Sequence, residues 1–430
     1  MAEQLTANQA LQTYNILESN KFGTITFEIV FAQIIDKKTV AARNIVAKLL
    51  TKVLANYPTK LATRAYFADL YAAKVQSGVQ KNGGLHEIIF QFTFINPKMI
   101  NDDKYTLDSI FACIEQIILQ PFLENGAFSE TILQVECRMM QDRIRTLYDD
   151  KTQYAQLQLI NHMFKGTPLA IKSYGEITDY DNLTATEVYQ TYQKMLTIDL
   201  INVFCTGDVA APIIEQRFRK IFQNLQKDAK YISPQVVGIE ERAKVQEITE
   251  TQDVNQTKLH LGYYAPTALT NENYLPHALA NEVLGGGAQS KLFQNVREKA
   301  SLAYYAVSGL DSYSNSLYVY AGIEAEKLTQ ATQIIDEQIT ALQNGEVTEE
   351  EFQIAKLNML HRIDMLQDSQ NGLIAIQKII EKLAGVDSIT DWQAAINKIE
   401  KADIIAAAKT WRKDTQFVLL PENSGKEVEK

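Results

Sequence analysis

The sequence repeats itself. Thr348 to Gln370 can be laid over the segment that begins at Ser129, so that Arg143 meets Arg362, Ile144 meets Ile363 and Leu147 meets Leu366. A helical pattern near 401–411 followed by Phe417–Leu420 echoes a helical pattern over 185–195 followed by Leu200–Cys205. Upstream, Val75-Gln-Ser-Gly78 matches Val307-Ser-Gly309 with small gaps. Each match is weak alone, but their common order indicates an internal duplication of roughly 200 residues. That period is too long for a solenoid and predicts two similar domains, as expected for 430 residues. We place them at 1–230 and 245–430, with the join in the polar, weakly periodic stretch 226–248.

Each half mixes strand and helix signals. Ile25, Phe27, Ile29 and Phe31 alternate with their neighbours, which predicts a half-buried strand over 24–31. Residues 87–95 read the same way. Ala42, Ile45, Val46, Leu49, Leu50, Val53 and Leu54 form a helical stripe over 40–55, stopped by Tyr57-Pro58. A second stripe runs over 129–148 through Leu133, Cys137, Met140, Ile144 and Tyr148.

Composition narrows the function. The net charge of −10 argues against a nucleic-acid binder, because phosphate recognition needs clustered Lys and Arg. No apolar run approaches the ~18–20 residues of a membrane-spanning helix. The three cysteines are far apart, and the N-terminus lacks a basic segment followed by an apolar one. A soluble, cytoplasmic protein is expected.

Familiar catalytic motifs are missing. The histidines are His86, His162, His260, His277 and His361, and no two lie within five residues, so HExxH and HxxEH both fail. There is no CxxC and no GxSxG. Gly285-Gly286-Gly287 satisfies neither the P-loop nor the dinucleotide pattern. It reads as a turn whose backbone amides could touch a peptide carbonyl or carboxylate.

The most distinctive segment is Ser290-KLFQNVREKASLAYYAVSG-Leu310. It resembles the C-terminal-half signature of the insulinase/pitrilysin zinc-peptidase superfamily, which includes the mitochondrial processing peptidases. Phe128–Asp150, Phe164–Pro168, Tyr174-Gly175 and Ile201–Asp208 follow the order of that family's first domain. The resemblance covers most of the chain. It implies an α+β fold of two similar tandem domains, each a mainly antiparallel sheet packed with helices.

In active members an HxxEH helix of the first domain binds zinc and supplies the general base, and a glutamate on a later helix completes the site. Here the corresponding early helix, 40–55, has no His and no Glu. The later ligand position falls near Arg143, with Gln141 or Asp142 in a shifted register. The resemblance therefore implies no complete catalytic set and no metal in this chain. It also implies that an arginine and a tyrosine seven residues apart hold substrate and stabilise the oxyanion. They match Arg297 and Tyr304, with Tyr305 as the alternative, and Gly285, Gly286 and Gly287 mark a substrate-contacting turn. Some bacterial relatives split the zinc site and the Arg/Tyr pair between two chains. The implied role is a non-catalytic, peptide-binding subunit whose HxxEH-bearing partner carries the zinc. More narrowly, the chain is similar to zinc-less bacterial members associated with 5-aminopentanol modification of translation elongation factor P. The competing expectation is an inactive peptide-binding or scaffold homo-oligomer.

Overall fold

The computed structural model describes residues 11–225 and 242–422, so most of the predicted join lies outside the described residues. The chain forms two units. Among the described residues the first takes 11–145, 171–225 and 367–377, and the second takes 146–170, 242–366 and 378–422.

The first unit holds a five-stranded sheet: β1 (Gln12–Glu18), β2 (Thr24–Ile34), β3 (Lys74–Asn82), β4 (Leu85–Ile95) and β5 (Leu200–Gly207), in the order β1-β5-β2-β4-β3. The second holds β6 (Gln246–Gln252), β7 (Thr257–Tyr264), β8 (Ala303–Asp311), β9 (Ser316–Ile323) and β10 (Arg412–Pro421), in the order β6-β10-β7-β9-β8. The two orders are the same once the second set is renumbered from one. In each, the first strand pairs parallel with the last and every other neighbour is antiparallel. The matched segments Val75–Gly78 and Val307–Gly309 lie on β3 and β8, the equivalent edge strands.

The helices, in chain order, are α1 (Val40–Lys52), α2 (Lys60–Asp69), α3 (Leu107–Leu119), α4 (Glu130–Asp149), α5 (Lys151–Met163), α6 (Ala185–Ile198) and α7 (Ala211–Phe222), then α8 (Tyr274–Gly285), α9 (Leu328–Asn344), α10 (Glu349–Leu366), α11 (Gln370–Ile380), α12 (Ile389–Lys398) and α13 (Lys401–Ala408). Side chains from Thr106 at α3 and Thr184 at α6 accept from the backbone three residues on, closing capping boxes.

Alternation on β2 predicts one buried face, and the structure buries both. Ile25, Phe27, Ile29 and Phe31 face a core where Phe27 meets Phe94, Phe111 and Phe218 edge-on. On the other face Thr26, Val30 and Ala32 are also buried. Val30 and Phe204 pack against Ile374 of α11, a helix from late in the sequence. The second sheet is covered in the converse way. Ala155, Leu159 and Met163 of α5 pack on Tyr318, Phe417 and Leu419. Gly262 lets α5 approach β7, because a Cβ there would stand 2.5 Å from Met163 Sδ.

A buried amide anchors α11. Gln370 Nε2 donates to the carbonyls of Thr24 and Thr206 at 2.8 and 2.9 Å. Its Oε1 accepts from the hydroxyls of Thr24 and Thr26. Gln370→Leu removes all four bonds while keeping the volume. It should cost about 2–4 kcal/mol, read as a lower urea midpoint and as faster hydrogen exchange over 370–377.

In the second unit, Trp411 Nε1 donates to His277 Nδ1 at 2.9 Å within the core. Burial lowers the His277 pKa from 6.5 to about 4. The folded state therefore keeps the ring neutral while the unfolded chain protonates it. Stability from this site is full above pH 6.5 and is lost as pH falls toward 4. At pH 5 the loss is about 2 kcal/mol. His277→Gln keeps an acceptor for Trp411 but does not titrate, so its urea midpoint should fall less than the wild type's between pH 7 and pH 5.

Candidate functional site

The helix where the resemblance implies a metal motif is α1, and its inner face is already occupied. Arg43 is 1 % exposed and pairs through Nη1 with Asp199 at 2.8 Å. Its Nη2 donates to the carbonyls of Phe31 and His86, and its Nε donates to His86 Nδ1 at 3.0 Å. His86 Nε2 lies 2.8 Å from the carbonyl of Ser173, so that nitrogen carries the proton. Burial and then the neighbouring guanidinium depress the His86 pKa to about 3. Both ring nitrogens are engaged, and neither is available to a metal. Asn44, next on the helix, donates to the carbonyls of Val40 and Ser173.

Further along the helix the charged side chains are the cations Lys48 and Lys52. Lys48 Nζ donates to the carbonyl of Ser77, and its pKa is lowered by burial and then by the charge of Arg143. Lys52 pairs with the buried Glu136 of α4 at 2.7 Å. Of the alternatives at the later ligand position, Gln141 bonds the Ile177 carbonyl and Asp181, and Asp142 pairs with Arg145. Two cations next to each other repel a divalent metal, and the donor set zinc requires is missing. Among the described residues no group of three His, Cys, Asp or Glu side chains is placed to hold a metal. The residues present do not fit zinc.

The second unit carries the Arg/Tyr pair on an irregular segment. Beyond Ser290 the chain winds as a π-type turn over Phe293–Lys299, a distortion frequent at functional sites. Arg297 lies on this turn with its side chain 44 % exposed, beside Glu298 and 4.6 Å from the Phe293 ring centroid. Val296 and Leu302 are buried, and the Leu302 N–H donates to the Val296 carbonyl. These contacts fix both ends of the connection between the turn and β8. Lys291 pairs with Glu351 at 3.0 Å.

Tyr304 and Tyr305 are placed very differently. The β8–β9 register shifts between Ala303 and Tyr305, leaving Tyr304 as the extra residue of a β-bulge. Tyr304 is 56 % exposed. Tyr305 packs on Gly322, where a Cβ would stand 2.4 Å from its ring, and lies beneath the Lys258 ammonium. Burial raises its pKa. The expected turn at Gly285–Gly287 is instead the end of α8, with Gly285 its last residue and Gly286 its cap, and both glycines serve packing. A Cβ on Gly285 would meet Ser308 at 2.4 Å, and one on Gly286 would meet Glu282 at 2.3 Å. Sequence reasoning missed the Arg43–Asp199–His86 network. A lone arginine on an apolar helical stripe was the signal available.

The fold and the altered site agree with comparisons to known proteins. Residues 182–359 match the family model described as the peptidase M16 inactive domain. The chain is 31 % identical over 410 residues to a protein of Bacillus subtilis called "Probable inactive metalloprotease YmfF", covering 95 % of each. It is 24 % identical over 288 residues to the "Uncharacterized zinc protease YmxG" of the same organism, covering 65 % of this chain and 68 % of that one. Among solved structures, a conserved protein from Enterococcus faecalis superposes with a TM-score of 0.88 at 24 % identity, covering 95 % of this chain and 96 % of the other. A peptidase M16 inactive domain from Pseudomonas fluorescens gives 0.77 at 14 % identity, covering 96 % of each. This chain belongs to the insulinase-like M16 peptidase family, as a member without the zinc site. Among the described residues no helix is long and apolar enough to cross a membrane.

The contrast between the two tyrosines is directly measurable. Brief nitration with tetranitromethane followed by peptide mapping should modify Tyr304 several-fold faster than Tyr305. Equal rates would mean that the β8 bulge does not present Tyr304 as described.

Proposed function

We propose that this chain is the non-catalytic, peptide-binding subunit of a two-chain M16 peptidase. It presents Arg297 and Tyr304 to a peptide whose scissile bond is cleaved at a zinc site on an HxxEH-bearing partner. The observation that carries this reading is the contrast between the two units: cations stand where zinc is lost, while Tyr304 is exposed on its bulge with Arg297 nearby in sequence. A guanidinium fork and a phenolic O–H both donate to developing negative charge, which is the chemistry an oxyanion requires. The relative named as an inactive metalloprotease supports loss of autonomous activity. We propose further that the protein acts in the cytoplasm, in the modification of translation elongation factor P.

The reading is tested by affinity purification of the tagged chain from its own cytosol with mass spectrometry, followed by reconstitution. A stoichiometric HxxEH-bearing relative should co-purify. In the reconstituted complex, Arg297→Ala and Tyr304→Phe should each lower kcat/KM at least ten-fold, or ~1.4 kcal/mol of barrier. Recovery of the chain only with itself would favour a scaffold homo-oligomer, and unchanged kinetics would remove the proposed role of the pair.

A further inference from the structure

The second sheet ends at β6, which among the described residues pairs only with β10. The Gln252 carbonyl accepts from the Glu422 N–H, so the backbone of Gln252 turns inward, toward β10. Along a strand, successive residues turn their N–H and C=O to alternate sides. Gln246, Ile248 and Glu250 therefore also face β10, and Glu247, Thr249 and Thr251 turn theirs outward. Among the described residues nothing pairs with these three outward N–H and C=O sets. An unpaired row of this kind is a template for a further strand. β8, which carries Tyr304, is the opposite edge of the same sheet.

The free edge opens onto a groove of about 840 Å³. Glu247 of β6 and Gln416 of β10 line it with Asp336 and Glu337 of α9 and with Glu346 just beyond that helix. Lys413, the one cation of the lining, is held by Asp336 at 2.9 Å. Glu247, Glu337 and Glu346 are left exposed, with no cation against them among the described residues. On the other face of β6, Ile248 is half-buried against the apolar cluster of α5. The unpaired backbone thus makes the site, and the side chains select what fills it. A second copy of this chain is a poor match, because its β6 would set like carboxylates together in a protein of net charge −10. Side chains of an added strand alternate between the two faces. Basic residues on the groove face and apolar ones beside Ile248 complement both.

We propose that β6 takes an added strand from a partner polypeptide, an extended segment of alternating basic and apolar residues whose cations enter the groove. Glu247 to Thr251 spans ~13 Å at ~3.3 Å per residue, so about five residues of the segment are engaged.

Fluorescein-labelled Thr-Lys-Val-Lys-Val-Lys-Thr-amide, added to the full-length chain and followed by anisotropy, should bind saturably. The same peptide with Glu in place of Lys should bind roughly ten-fold more weakly or worse. Amide hydrogen exchange resolved to single residues should slow at Glu247, Thr249 and Thr251 when the Lys peptide is present. Thr249→Pro removes an outward N–H that the ladder does not use, a change an edge strand tolerates, and should abolish binding. Glu337→Lys, on the exposed side of α9, is the second variant should the first fail to fold, and should weaken binding roughly ten-fold. No saturable binding of the Lys peptide overturns the proposal. Equal binding of the Glu peptide overturns the choice of occupant. Binding that leaves the three amides unprotected, or that survives in folded Thr249→Pro or unweakened in Glu337→Lys, places the peptide elsewhere and also overturns the proposal.

Discussion

The first unit is organised around one buried ion pair. Taking a guanidinium and a carboxylate out of water is expensive, and their attraction offsets this only where the surrounding groups complete the hydrogen bonding. Arg43 therefore ties together α1, the carbonyls of Phe31 and His86 on β2 and β4, and Asp199 at the start of β5. His86 in turn holds the carbonyl of Ser173. Removing one partner of such a pair typically costs ~3–5 kcal/mol, because the other charge stays buried. The absence of metal ligands on α1 is thus no gap in an otherwise catalytic site. The helix has a complete structural role that leaves no room for one.

The second unit repeats the topology with different polar chemistry. Arg143 of α4 and Arg362 of α10 occupy matched positions of the sequence repeat. Arg143 lies among cations, and its charge lowers the Lys48 pKa. Arg362 faces a buried carboxylate, Glu282. The same helix position thus sets a guanidinium beside a lysine in one unit and against a buried carboxylate in the other. Strand order follows from apolar patterning, which the two halves share. The chemistry follows from a few polar side chains, which they do not.

What the sequence revealed follows the same division. β2, β4, α1, α4 and β5 carry strong apolar periodicity and were legible within a few residues. β6 went unread, and the expected join overlaps its first three residues, because Gln-Glu-Ile-Thr-Glu-Thr-Gln is polar and alternates only between half-buried and exposed. β1 is similarly mixed and is secured by its parallel pairing with β5, a long-range contact that local pattern does not encode. The coverage of β2 by α11 was invisible for the same reason. Thr26 reads as a solvent-facing position until Gln370 supplies a partner more than three hundred residues away. The resemblance pointed to Arg297 and, seven residues on, to Tyr304, with Tyr305 as the alternative if the register slips. On β8 the register shift leaves Tyr304 exposed and Tyr305 packed on Gly322, a difference in placement that no spacing encodes.

That register shift belongs to a larger irregularity. Within a dozen residues the chain passes through a π-type turn, a left-handed backbone at Ser301 with φ of 51°, and the bulge at Tyr304. Each departs from regular hydrogen bonding or from favoured backbone geometry, and such departures persist only where the surroundings over-determine them. Here buried Leu292, Val296 and Leu302 supply that anchorage. Apolar packing would be satisfied as well by a regular helix running into a regular strand. The irregular path differs in what it presents: a half-exposed guanidinium and an exposed phenol on a segment pinned at several points. Tyr304 has no hydrogen-bond partner among the described residues. A backbone pinned in this way loses little further entropy when a ligand meets it, whatever rotamer freedom the exposed side chains still lose.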